Sequence, residues 1–171
     1  MEEKIRLQSK DGKEYEISKK AAELSELLKS TMNDYPNETS IPLPELDEKT
    51  IDKVLDYLTH FNGISPPEIE KPLKNCELKD ATDEWSVNFV DKITMDELVN
   101  LTVAGNFMGI NSLLDLCCAK IASMCKDKTE EEIFKVFNIT ETLTVEEKDK
   151  IKAEIKWIEE NKIIKMVLIY K

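Results

Sequence analysis

Between Leu113 and Cys125 the residues Leu113, Leu114, Leu116, Cys117, Cys118, Ile121, Ala122, Met124 and Cys125 wrap most of a helix's circumference. A helix that is apolar on nearly every side must be covered on more than one of them. The chain then runs into Ile133-Phe134-Lys135-Val136-Phe137-Asn138-Ile139, five large apolar residues within seven positions of a short helix and its exit. A single core stripe cannot absorb them all. Farther on, Ile151, Ile155 and Ile158 share one stripe of a last helix, with Trp157 about 100° from Ile158 and beside a charged face. Either these helices close on one another as a small bundle, or they leave a groove that another protein's apolar helices complete. Periodicity leaves both readings open.

The first half is of a different kind. Ile5/Leu7 and Tyr15/Ile17 alternate with polar residues around Asp11-Gly12, a pair suited to the positive φ of tight turns, so a β-hairpin is predicted. Ser18 is placed to cap a helix carrying Ala21, Leu24, Leu27 and Leu28. Ile41-Pro42-Leu43-Pro44 reads as a short strand at a sheet edge, because proline cannot donate to a ladder. Asp47 caps a helix whose Ile51, Val54, Leu55 and Leu58 form one stripe. Pro66-Pro67, Pro72 and many charges make residues 62–83 a mobile linker. Helix resumes near Trp85, Phe89 and Val90. Thr94 with Glu97, Thr129 with Glu132 and Thr144 with Glu147 each fit a capping box, and Asn111 is placed to cap a further helix. The fold class is α+β and predominantly helical.

Composition narrows the function. A net charge of −11 and a pI near 4.7 argue against a general nucleic-acid or anionic-membrane binder, which needs clustered Lys and Arg. No apolar run is long enough to span a bilayer, and the N-terminus lacks the basic and apolar regions of a signal peptide. The expected location is therefore cytoplasmic and nuclear. Cys76, Cys117, Cys118 and Cys125 follow no CxxC spacing; adjacent Cys117 and Cys118 project about 100° apart on a helix and read as small hydrophobes rather than ligands. His60, the sole histidine, has no partner motif and sits at a helix end, and Glu130-Glu131-Glu132 suits a helix N-terminus. There is no phosphate loop, HExxH or GxSxG. No catalytic residue, cofactor or metal is expected.

The blocks IRLQSKDG, IPLPELDEKTIDKVLDYLTHF, a proline-rich linker leading to Trp85, AGNFMGINSLLDLCCAKIASMCKDKTEEEIFKVFNI and IKWIEEN, in that order, resemble the Skp family of adaptors in SCF (Skp/cullin/F-box) ubiquitin ligases. The resemblance runs from Ile5 to about Glu160. It implies a BTB/POZ domain over residues 1–126, a C-terminal helical extension over 127–162 that completes the F-box-binding surface, and a separate cullin-binding surface. Carried over motif by motif, the F-box side takes Leu98, Val99, Ile121, Met124, Ile133, Phe137, Ile139 and Trp157. The Asn106-Phe107 pair in AGNFMGI matches the cullin-contact position. The implied partners are F-box proteins and the N-terminal region of a cullin, with no nucleic acid or membrane. For the free chain two states stay open, a monomer and a weak homodimer through the apolar groove. The implied role is non-catalytic bridging of substrate receptor to scaffold.

The pattern departs from the family in places. Val99 and Thr102 are smaller than the residues usual along that helix, and Phe107 lacks the hydroxyl of the usual Tyr, which bears on F-box preference and cullin affinity. Val145 stands where some members carry a hydroxylated, glycosylated proline. Residues 163–171 form an apolar tail of no assigned role. Among rival readings, an elongin-C-like adaptor lacks the extension after Thr129, a self-associating BTB module usually sits in a longer chain, and an enzyme would need a site built from dispersed carboxylates.

Overall fold

The computed structural model describes residues 3–36, 40–74, 77–139 and 144–160, with the backbone alone at 148, 155 and 157–160. It divides into two compact units, Met1–Thr129 and Glu130–Lys171.

In the first unit, strands β1 (Lys4–Ser9) and β2 (Glu14–Ser18) form the antiparallel hairpin, with Ile5 opposite Ile17 and Leu7 opposite Tyr15. Gly12, at φ 84°, makes the turn. Alternation turns Ile5, Leu7 and Ile17 inward, all nearly fully buried. Strand β3 (Ser40–Leu43) joins β1 in parallel, giving the order β2-β1-β3. Pro42 thus lies on an edge strand, where its missing N–H costs no ladder bond.

The helix expected across Ala21–Leu28 is two. Helix α1 (Lys19–Ala22) is capped by Ser18, whose hydroxyl accepts from the Ala21 N–H at 3.2 Å. Helix α2 (Glu26–Asp34) starts afresh at Ser25. The Ser25 hydroxyl, fully buried, accepts from the Leu28 N–H at 3.2 Å and donates to the Met108 carbonyl at 2.6 Å, 83 positions away in sequence. A long-range bond, invisible to local patterning, breaks the helix there. Helix α3 (Glu48–Phe61) is capped by Asp47, which accepts from the Thr50 N–H at 2.8 Å, and ends at Asn62 in the left-handed region.

The linker is not a bare tether. Ile69 and Leu78 are buried, a 3-10 turn spans Leu78–Asp80, Lys71 pairs with Asp115 at 2.7 Å, and Lys126 Nζ donates to the Leu73 carbonyl at 2.6 Å. These anchors hold it against helix α6 (Asn111–Cys125). Helix α4 (Glu84–Asp91), capped by Asp83, and helix α5 (Met95–Met108), with its Thr94/Glu97 capping box, complete the unit. Asn111 is not a cap; it is the first residue of α6, and its side-chain amide donates to Glu26 at 3.3 Å. One continuous core joins the sheet to α2, α3, α5 and α6.

The second unit contains α7 (Glu130–Val136) and α8 (Val145–Glu160). At the start of α8 the expected capping box is formed: Glu147 accepts from the Thr144 N–H at 2.9 Å and the Thr144 hydroxyl accepts from the Glu147 N–H at 3.3 Å. The apolar tail lies outside the described residues.

Replacing Ser25 by Ala removes a helix cap and strands the buried Met108 carbonyl. We expect a loss of about 2 kcal/mol, read as a lower urea midpoint with an unchanged m value.

Candidate protein-interaction surfaces

Helix α5 is apolar on two sides, and its neighbours decide which side is inside. It packs on α2, α3 and α6. Leu98, Leu101, Ala104, Gly105 and Met108 face them and are buried. Gly105 keeps that contact close: a Cβ there would lie 3.3 Å from the backbone nitrogen of Leu114, so α6 would have to give by a few tenths of an ångström. On the opposite side Val99 is 48% exposed, Val103 61% and Phe107 38%. Their spacing of four residues sets them in one line, and Asn106, also exposed, falls beside Phe107 at the helical spacing of three from Val103. Val103, flanked by Asn100, also borders a groove lined by Lys10, Glu45, Leu46, Asp47 and Thr50.

Of the residues assigned to the F-box side, Leu98 is 2% exposed and belongs to the core. Val99 lies on the same line as Phe107. Ile121 and Met124 are half-buried on α6, Ile121 packing against the core. In the second unit Ile133 and Phe137 are half-buried, Ile139 is 44% exposed, and no residue of α7 is fully buried. Trp157 lies on α8, its side chain outside the described residues.

Sequence reasoning passed over Val103, although its spacing from Val99 and Phe107 was the available signal. It also passed over a groove of 410 Å³ between linker and α6, with Ile69, Pro72, Leu73, Cys118, Ala119 and Ala122 among its lining. The adjacent cysteines part company there. Burial pushes the Cys117 thiol up to about 12, whereas Cys118 is exposed. A thiol so raised has almost no thiolate at neutral pH, and the thiolate is the nucleophile. No cluster of three or more His, Cys, Asp or Glu able to hold a metal occurs among the described residues.

A three-stranded mixed sheet backed by helices, followed by a separate helical unit, is the setting of these surfaces. The chain matches the Skp1 family tetramerisation domain over residues 3–63 and the Skp1 family dimerisation domain over residues 111–158. It is 38% identical over 157 residues to the S-phase kinase-associated protein 1 homolog of Tetrahymena thermophila, covering 92% of this chain and 95% of that protein. It is 35% identical over 158 residues to the E3 ubiquitin ligase complex SCF subunit sconC of Arthroderma benhamiae, covering 92% and 96%. The corresponding sconC subunit of Talaromyces marneffei is 32% identical over 161 residues, covering 94% and 99%. The chain belongs to the Skp1 family, and its first domain is of the POZ type.

Two measurements separate core from surface. Leu98→Ala is expected to cost about 2–5 kcal/mol by opening a cavity, whereas Val103→Ala on the exposed line changes stability by under about 0.5 kcal/mol; paired urea titrations check both. Brief alkylation of the native chain with iodoacetamide, followed by peptide mapping, should label Cys118 and spare Cys117.

Proposed function

We propose that the chain is the non-catalytic adaptor of an SCF-type ubiquitin ligase, joining F-box substrate receptors to a cullin scaffold for ubiquitin-dependent degradation, in the cytoplasm and nucleus. Support comes from its family membership and from the sconC relatives, which are named as SCF subunits and matched over nearly their whole length. The single structural observation that carries the reading is the exposed Val99, Val103 and Phe107 line, apolar surface on a helix whose other side is already committed to the core. Exposed apolar patches of this kind mark partner sites.

The line offers the cullin a face composed of Val99, Val103, Asn106 and Phe107. Val99 is moved there from the F-box side because it shares the face of Phe107. F-box contacts are proposed at Ile121 and Met124 in the first unit and, taken by itself, at Ile133, Phe137, Ile139 and Trp157 in the second. Leu98, from beneath the surface, holds α5 in place rather than touching a partner. A stable F-box interface needs to bury on the order of 1,600 Å², with Phe137 and Trp157 the anchors, since large aromatics commonly dominate such energies. The adaptor breaks no bond: holding receptor and scaffold together raises the effective concentration of one at the other. The same apolar F-box side is proposed to support weak homodimerisation of the free chain.

Pull-down with purified fragments tests the assignment. Asn106→Lys with Phe107→Lys should weaken cullin binding by at least about tenfold and spare F-box binding, and Trp157→Ala should do the reverse. Wild-type protein that binds neither fragment while folded would overturn the adaptor reading.

A further inference from the structure

A cavity of 110 Å³ lies where the linker crosses the first turn of α6, lined by Tyr57, Ser65, Glu68, Ser86, Asn111 and Ser112 among others. Three independent features converge on it. Helix α6 has no side-chain cap: its cap position is Ile110, and the first helical bond is that of the Leu114 N–H to the Ile110 carbonyl at 3.0 Å. The amides of Asn111, Ser112 and Leu113 precede that bond, at the end of a 15-residue helix that carries positive partial charge. Tyr57 is fully buried, and its hydroxyl is the buried side-chain oxygen or nitrogen without a well-formed hydrogen bond among the described residues. Ser112 is its nearest polar partner, too poorly placed for a geometrically sound hydrogen bond, and Tyr57, Ser112 and Asp115 all line this cavity. Burial raises its ionisation to about 12, which keeps it a protonated donor. Finally, Ser65 at the cavity mouth is exposed, and its hydroxyl makes only a 3.4 Å contact with the Pro66 carbonyl. Pro66 biases the preceding residue toward the extended conformation that a kinase cleft can accept.

We propose that Ser65 is a phosphorylation site for a proline-directed serine kinase, and that its phosphoryl group docks on the N-terminus of α6. In the transfer, Ser65 Oγ bonds to the γ-phosphorus of MgATP as the bridging bond to the β-phosphate breaks; ADP leaves, and the hydroxyl proton passes to the kinase's base. The phosphate oxygens then accept from the Ser112 region amides and from the Tyr57 hydroxyl, as oxyanions do at helix N-termini. Four carboxylates oppose this. Glu26 is exposed and accepts from the Asn111 side-chain amide at 3.3 Å. Asp115 is paired with Lys71 at 2.7 Å, and Asp83 is occupied by the Ser86 N–H and hydroxyl at 2.9 and 2.6 Å. Glu68 is exposed, where water and salt screen it. Docking would add a further tie between the linker and the helix that carries Ile121 and Met124.

The test treats the full-length chain with a proline-directed kinase and MgATP, beside Ser65→Ala and Tyr57→Phe. Mass spectrometry should find one phosphate on Ser65, absent from Ser65→Ala. Hydrogen exchange at the amides of 111–113 should slow about tenfold on phosphorylation, and the equally phosphorylated Tyr57→Phe should lose a measurable part of that protection. Failure to phosphorylate Ser65 while a peptide of residues 62–72 is modified overturns the site. Phosphate incorporated with unchanged or faster exchange overturns the docking, faster exchange meaning that carboxylate repulsion wins. Equal protection of the unmodified chain by millimolar inorganic phosphate overturns Ser65 as the source and leaves a free-anion site.

Discussion

Helix α5 has apolar residues on two sides and neighbours on only one. Its inner side, Leu98, Leu101, Ala104 and Met108, fills the space between α2, α3 and α6. Once that side is inside, Val99, Val103 and Phe107 must lie outside, because residues one position apart on a helix are turned by about 100°. Both the core and the exposed line therefore follow from a single rotational setting. Gly105 favours it, since a Cβ there would lie 3.3 Å from the α6 backbone, which would have to give by a few tenths of an ångström.

The C-terminal end of α5 is held by a second constraint. Met108 hands its carbonyl to Ser25, and Gly109, at φ 63°, hands its own to the Glu26 N–H at 3.3 Å. A Cβ on Gly109 would meet Glu26 at 2.9 Å, so the close approach of α2 to the turn between α5 and α6 requires glycine twice over, for conformation and for space. The same turn delivers α6 with its first residues facing the linker. The exposed line of α5 and the cavity under the linker thus hang from one joint.

Much of the fold was legible because it is locally encoded. The hairpin followed from alternation around Asp11-Gly12, and Ser18, Asp47 and the Thr94/Glu97 box act as their sequence contexts implied. What escaped depends on distant partners. Ser25 looks like one more polar position on a continuous helix until Met108 arrives to bond it. Asn111 looks like a cap because Asn favours that position, but Ile110 occupies it. On α5, Leu98 and Val99 each begin a plausible stripe, and no periodicity chooses between them; the choice belongs to α3 and α6. Residues 62–83 have the composition of a tether, yet Ile69 and Leu78 are buried, Lys71 pairs with Asp115 and the Leu73 carbonyl accepts from Lys126.

Burial also bears on what the described interior can do. Tyr57 and Cys117 are its two strongly perturbed titratable groups, and both are pushed up to about 12 by desolvation. A nucleophile or base working at neutral pH needs the opposite, an acidity matched to its surroundings. Desolvation without a compensating cation disarms the thiol and keeps the phenol protonated. The four aromatic rings around Tyr57, those of Phe61, Trp85, Phe89 and, through Trp85, His60, pack with centroid separations of 3.7 to 6.2 Å. That cluster ties α3 to α4 through ring contacts and holds the Tyr57 ring in place, so its phenol stays a protonated, buried group rather than one able to work as a base.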